Sequence, residues 1–278
     1  MNGSFFIQQY IDKGFELSDA QSEIDFAIEI LFGYSAKDFI LGKKLSEKEK
    51  NRLQEIIFER LEKKCPIQQL VGNAYFFGRK FYVTKDTLIP RPETEILIVE
   101  ILKHIKNIDT PKILDIGSGT GCIPITLALE NKNLLADSVD ISEKAIEVAK
   151  KNSNLHKVEN RVNFFKSDLF ENVNDSYNLI VSNPPYIPIK DKNTLQTEVK
   201  DFDPALALFA YDEQGIEFYE RIINSASKYI EKNGFICFEI GINQSTIVAK
   251  LLYNNNFKNI EITKDLNNID RVIIAQKT

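Results

Sequence analysis

Cysteine and histidine are scarce: the 278 residues hold three of the first and two of the second. Cys65, Cys122 and Cys237 are widely spaced and form no C-x-x-C pair, which argues against a disulfide framework and against a zinc site. With only His104 and His156 to draw on, a histidine-rich metal centre is not expected either, and no metal is assigned. Long apolar runs are also missing. No stretch approaches the roughly eighteen apolar residues of a membrane span, and the N-terminal MNGSFFIQQYIDKG has no basic segment ahead of an apolar core. The cytoplasm is therefore the expected location, with no membrane partner. Positive charge is not in excess: the net charge of −5 argues against a surface made mainly to grip nucleic acid. What is present, 43% hydrophobic and 27% charged residues, is the mixture of a globular protein with a substantial core.

Two patterns divide the chain. Up to about residue 73 the signals are helical. Ser18 with Gln21, Ser35 with Asp38 and Ser46 with Glu49 have the spacing in which a hydroxyl and an acid or amide satisfy the free N–H groups of a helix start. Ile24, Ala27, Ile28 and Leu31 then share one face, and Leu53, Ile56, Ile57 and Leu61 another. Residues 1–73 are expected to form a small helical bundle, with Phe5, Phe6 and Tyr10 in its core. AYFFGRKFYV, residues 74–83, is an aromatic-rich β-hairpin around Gly78-Arg79, and 74–88 reads as a linker. IPRPETE, residues 89–95, leads into a helix with Pro92 at its first position.

Beyond residue 111 strands alternate with helices. KILDI (112–116), LADSVDI (135–141), RVNFFK (161–166), YNLIVS (177–182), FICFEI (235–240), NIEIT (259–263) and RVIIAQ (271–276) are the strands, with helices around 122–130, 142–152, 214–231 and 243–254. The fold class is α/β, a seven-stranded, mostly parallel, Rossmann-like sheet over residues 89–278. The short turn between the last two strands requires one of them to run antiparallel at the sheet's end.

The first strand ends in Asp115-Ile116-Gly117-Ser118-Gly119-Thr120-Gly121-Cys122, a turn that lets a ligand approach the backbone at a helix N-terminus. It has no P-loop lysine, and Cys122 stands where a dinucleotide fingerprint needs its last glycine. Asp140, at the end of the second strand, is placed to accept from ribose hydroxyls, with Ser142 behind it as a helix cap. Asp168, after the third, can accept from the exocyclic amine of adenine while Ile141 and Leu169 meet the ring faces. Three such features at successive strand ends call for an adenosine-bearing ligand. The fourth strand ends in SNPPYIP, residues 182–188. Its two prolines are stiff and carry no N–H, so the segment is rich in acceptors.

Together DIGSGTG, Asp140, Asp168 and NPPY resemble the ordered motifs of class I methyltransferases that use S-adenosylmethionine. Joined to the upstream helices, IPRPETE, FDPALALF and FEIGINQ, they are similar over nearly the full chain to the N(5)-glutamine methyltransferases of peptide-chain release factors. The resemblance implies that Gly117, Ser118, Gly119, Thr120, Gly121, Asp140, Ile141, Asp168, Leu169 and Asn183 hold S-adenosylmethionine, with S-adenosylhomocysteine as product. It also implies that Asn183, Pro184, Pro185 and Tyr186 hold the acceptor amide, the glutamine of a Gly-Gly-Gln motif in class I release factors, and that the helical domain docks that partner. Asp203-Pro204 departs from the family's usual Glu-Pro, and Leu169 is less aromatic than is common there. An adenine-N6 methyltransferase acting on DNA or RNA is the alternative, since an adenine amine offers the same planar NH₂. Stable nucleic-acid binding is not expected. A regulatory binder of adenosylmethionine has no use for the amide cradle, and the glycine spacing disfavours an NAD-dependent dehydrogenase.

Overall fold

The computed structural model describes residues 4–278. The chain divides into two compact units: residues through Ala74 together with Gln196–Phe202, and Tyr75–Leu195 together with Asp203–Thr278. The first unit contains helices Ser4–Asp12, Leu17–Phe32, Ala36–Ile40, Glu47–Lys63 and Ile67–Val71. Both downstream capping boxes close: the Ser46 N–H donates to Glu49 at 2.7 Å, and the Glu49 N–H returns to the Ser46 hydroxyl at 3.4 Å. The Ser18 signal does not. That helix begins at Leu17 behind Glu16, so Ser18 sits within the first turn and its carbonyl accepts from the Ser22 hydroxyl instead. Phe6, Tyr10, Ile24, Ile28, Leu53 and Ile57 form the core, whereas Phe5 is 47% exposed. Arg60 is buried. Its guanidinium grips Glu23 at 2.7 and 2.8 Å and reaches Glu198 at 2.8 Å, holding the distant helix Thr197–Phe202 to this unit.

Strands β1 (Asn73–Phe76) and β2 (Arg79–Tyr82) make the hairpin. It turns on Phe77 and Gly78, both left-handed at φ 51° and 69°, one residue earlier than the glycine suggests. Two positive φ values match the twist of paired strands. The Phe77 N–H donates to the Glu95 carboxylate at 2.7 Å, which supports a phenylalanine in a conformation that favours glycine.

Strands β3 (Lys112–Ile116), β4 (Leu135–Asp140), β5 (Val162–Lys166) and β6 (Tyr177–Ser182) are followed by two short strands, β7 (Ile187–Pro188) and β8 (Phe209–Ala210), that pair with each other. Then come β9 (Ile230–Glu239), β10 (Phe257–Lys264) and β11 (Asp270–Lys277). The large sheet has seven strands in the order β10-β11-β9-β6-β3-β4-β5. Only β11 is reversed, lying antiparallel between β9 and β10. The turn from β10 is too short for a crossover, and the Asp265 carboxylate fastens it by accepting from the Asn267 and Ile269 N–H groups, each at 2.9 Å. Alternate residues face opposite sides. Ile113, Leu179 and Val181 pack under helices Thr94–Ile105 and Cys122–Glu130, while Leu114 and Ile180 pack under Glu217–Ala226 and Ser245–Asn254.

The chain runs outward from β3 through β4 to β5, then returns to place β6 on the other flank of β3. At such a reversal the crossover loops diverge, and a crevice opens beyond the carboxyl ends of the strands. The glycine turn after β3 and the Asn-Pro-Pro segment after β6 stand on its two sides.

Candidate active site

The turn after β3 is shaped by three left-handed glycines: Gly117, Gly119 and Gly121, at φ 91°, 51° and 77°. Side-chain-bearing residues pay for that conformation, glycine does not. The N–H groups of Gly117 and Ser118 donate to the Val139 carbonyl at 2.8 and 3.0 Å, anchoring the turn to β4. At the end of that strand Asp140 accepts the Gly119 N–H at 3.0 Å and the Ser142 N–H at 2.9 Å. Burial pushes its carboxyl up from the ordinary range, and these backbone donors pull it back. A carboxylate has about four lone-pair sites, so acceptor capacity remains after two are used. The Ser142 hydroxyl caps the next helix at Ala145.

A cavity of about 300 Å³ opens here, bounded by Gly117, Gly119, Asp140, Ile141, Asp168, Leu169, Pro184 and Pro185. Asp86–Leu88 and Pro204, from loops, Leu206 and Ala207, from the short helix Ala205–Leu208, and Phe218, Arg221 and Ile222, from helix Glu217–Ala226, also line it. Five of the expected residues lie outside this wall. The Ser118 hydroxyl is buried against that of Ser138 at 2.7 Å, and the Thr120 carbonyl accepts from Asn152 at 2.8 Å. Gly121 is packed so tightly that a Cβ would stand 3.0 Å from Ile125 and 3.1 Å from Ala149 and Phe164. Asn183 and Tyr186 are the other two. Asp168 is engaged by Arg221, a residue without a sequence signal, whose guanidinium reaches both carboxylate oxygens at 2.8 and 3.0 Å.

Behind the Asn-Pro-Pro-Tyr segment lies a polar support. Ser182 donates to the Ile116 carbonyl at 2.6 Å, tying the ends of β6 and β3 together. Thr94 stands 3.4 Å from Asn183 Nδ2 and donates to Glu239 at 2.6 Å, and the Tyr186 hydroxyl meets the other Glu239 oxygen at 3.4 Å. Gln244 is the second support. Its NH₂ reaches the carbonyls of Tyr186, Gln214 and Gly215 at 3.0, 2.9 and 3.1 Å, while its oxygen accepts the Gly241 N–H at 2.9 Å. Burial pushes the Glu239 and Tyr186 acid groups up. Arg91, from IPRPETE, reaches Asp203 at 2.5 Å, so the departure from Glu-Pro carries an ion pair that joins two loops beside the cavity.

A family model describing the methyltransferase small domain matches residues 94–202. A release factor glutamine methyltransferase of Fusobacterium nucleatum is 41% identical over 241 residues, covering 86% of this chain and 68% of that protein. Another, of Flavobacterium psychrophilum, is 36% identical over 265 residues, 93% of this chain and 92% of its own. The chain belongs to the release factor glutamine methyltransferase family. Among solved structures, the hMettl16 catalytic domain in complex with MAT2A 3′UTR hairpin 6 aligns with a TM-score of 0.60 at 16% identity, over 83% of this chain and 82% of that one. A methyltransferase from Pyrococcus furiosus aligns at 0.53 and 15% identity, over 82% and 98%. At such identities the likeness is one of fold. The methyltransferase family implies S-adenosylmethionine as the methyl donor, and the wall fits that group on two counts. Asp140 keeps free acceptor sites for a diol, and a Cβ on Gly117 would project into the gap toward the Asn183 carbonyl, 4.0 Å away. Among the described residues no group of three or more His, Cys, Asp or Glu could hold a metal, and no helix is long and apolar enough to cross a membrane.

Proposed function

We propose that this chain methylates the side-chain amide nitrogen of the glutamine in the Gly-Gly-Gln motif of class I peptide-chain release factors, giving N5-methylglutamine and S-adenosylhomocysteine. The observation that carries the reading is the acceptor-rich Asn183-Pro184-Pro185-Tyr186 segment, braced from behind and standing across the crevice from the glycine turn. S-adenosylmethionine supplies a sulfonium methyl group when bound. Asp140 would hold the ribose hydroxyls, Gly117 and Gly119 would allow close approach of the backbone, and Ile141 and Leu169 would meet the adenine ring. Asp168 would accept the adenine amine by turning from Arg221. That exchange is inexpensive, because an ion pair with side chains 42% and 45% exposed is worth about 1 kcal/mol or less.

An amide nitrogen is a poor nucleophile, since its lone pair is delocalised into the carbonyl. Orientation is what the chain must supply. Asn183 Oδ1 and the Pro184 carbonyl each accept one N–H of the glutamine, and Tyr186 walls its planar face. Holding reactants in place can lower a barrier by roughly 7–11 kcal/mol. As positive charge grows on nitrogen both acceptors bind it more strongly, so they favour the transition state over the ground state. No strong base is needed, because the proton becomes acidic as the bond forms and passes to water. The helical unit is the surface that meets the release factor. Incubation of the purified chain with methyl-labelled S-adenosylmethionine and a release factor, followed by peptide mapping, should place the label on that glutamine; label elsewhere or nowhere overturns the proposal.

A further inference from the structure

The support behind Asn183 has a direction. Thr94 is 3% exposed and Glu239 is 2% exposed, so this chain of groups is shut off from solvent. A threonine hydroxyl has one proton to give. Thr94 gives it to Glu239 at 2.6 Å, which leaves only lone pairs on its oxygen to face Asn183. Asn183 must answer with its NH₂ end, and Nδ2 is the atom found 3.4 Å away. The two ends of a carboxamide are nearly identical in shape, so packing alone does not choose between them. The hydroxyl does.

We propose that Glu239, acting through Thr94, is a positioning residue that fixes which end of the Asn183 amide faces the acceptor, and so selects an NH₂-bearing side chain over a carboxylate. The inference rests on Asn183 being the acceptor cradle. With Oδ1 forward, the glutamine N–H finds an acceptor, while the carboxylate of a glutamate meets lone pairs. With the amide reversed, the preference reverses. Tyr186 donates to the remaining oxygen of Glu239 at 3.4 Å, so two hydroxyl donors converge on the carboxylate and oppose the burial that pushes it up.

Thr94→Val keeps the shape and removes the hydroxyl, and Thr94→Ser restores it. The readouts are turnover on a release factor, affinity for S-adenosylmethionine, and inhibition by the same release factor with its target glutamine changed to glutamate. For Thr94→Val we expect cofactor affinity to hold and kcat to fall about 10–100-fold, the scale of a misdirected reacting group. Inhibition by the glutamate form should tighten about fivefold, the worth of one hydrogen bond. Thr94→Ser should return both values toward the original. If Thr94→Val fails to fold, Thr94→Ala carries the same expectation. Full turnover without the hydroxyl, or lost turnover with unchanged discrimination between the two side chains, overturns the inference. Failure of the unaltered protein to methylate the glutamine would overturn the proposed function instead.

Discussion

Gly215 offers a direct test of whether the Asn-Pro-Pro-Tyr segment is held in place from behind. A Cβ on this residue would stand 2.1 Å from the Tyr186 carbonyl oxygen and 2.8 Å from Gln244 Nε2, and its φ is 72°. Real Cβ contacts are essentially never closer than 3.0 Å, so Gly215→Ala must drive that carbonyl back by about 1 Å, a displacement of the size that costs on the order of 10²-fold in rate when it reaches a reacting group. The Gln244 bond to Tyr186 at 3.0 Å would go with it, adding about 1 kcal/mol of destabilisation. The left-handed backbone costs a further 1–2 kcal/mol or so for any residue with a side chain. Gly33 separates the two effects, because it has the same φ of 72° with nothing within 4 Å of its added Cβ. Gly33→Ala therefore carries the strain without the clash. Single-turnover methylation, cofactor titration and thermal unfolding on both variants should show the strain cost in each, with Gly215→Ala losing at least about 1 kcal/mol more stability than Gly33→Ala. Only Gly215→Ala should lose about two orders of magnitude in rate, with cofactor affinity near that of the unaltered protein. Equal rates for the two variants would refute the bracing argument.

Asp115 is fully buried, with Ser138 donating to one oxygen at 2.6 Å and no partner for the other among the described residues. Burial pushes its carboxyl up to about 7. The folded chain then keeps a proton that the unfolded chain sheds near pH 4, so stability falls as pH rises from about 4 to 7, by up to roughly 4 kcal/mol. Urea unfolding at both ends of that window should show this decline, and Asp115→Asn should flatten it; parallel curves for the two proteins would count against it. Arg91→Ala leaves the Asp203 carboxylate buried, with its side chain 1% exposed, at a cost of about 1–3 kcal/mol after allowance for the partial exposure of the arginine. Asp203→Asn in the same chain should recover more than half of that loss in melting experiments, and additive effects would exclude the coupling.

Most strands of the sheet were legible because they hold short apolar or alternating runs, although β9 begins at Ile230, five residues ahead of the apolar run that marks it. Lys112–Ile116 and Cys122–Glu130 occur with the bounds read from the sequence. The capping spacing at Ser18 misled because a hydroxyl three residues from an amide also occurs inside helices, and only the chain direction at Glu16 decides where the helix begins. The pair β7 and β8 has two residues in each strand, too few to carry a period. The site divides along the same line. Gly117, Asp140 and Asp168 stand at strand ends, where local chemistry announces them. Thr94 sits 89 positions from its partner Asn183, and nothing near it in the chain hints at the bond it makes; Gln244 lies in the FEIGINQ motif, but its partner Tyr186 is 58 positions away. Arg221 likewise meets Asp168 across 53 positions.

The prolines explain why such distant support is needed. Pro184 and Pro185 stiffen the segment but bring no N–H, so its carbonyls outnumber its donors. A buried carbonyl left without a partner costs on the order of 1–3 kcal/mol. The proposed chemistry would require acceptors at Asn183 and Pro184 to remain free for the substrate, whereas it gives the carbonyl of Tyr186 no such duty. Gln244 satisfies that one. Its oxygen is held in turn by the Gly241 N–H, so the NH₂ end is turned toward the loop by the same logic that is proposed for Asn183. The segment is thus satisfied at Tyr186, where rigidity is needed. On the proposed function, that bracing is what would separate a strand that merely ends in prolines from a cradle for a planar NH₂ group.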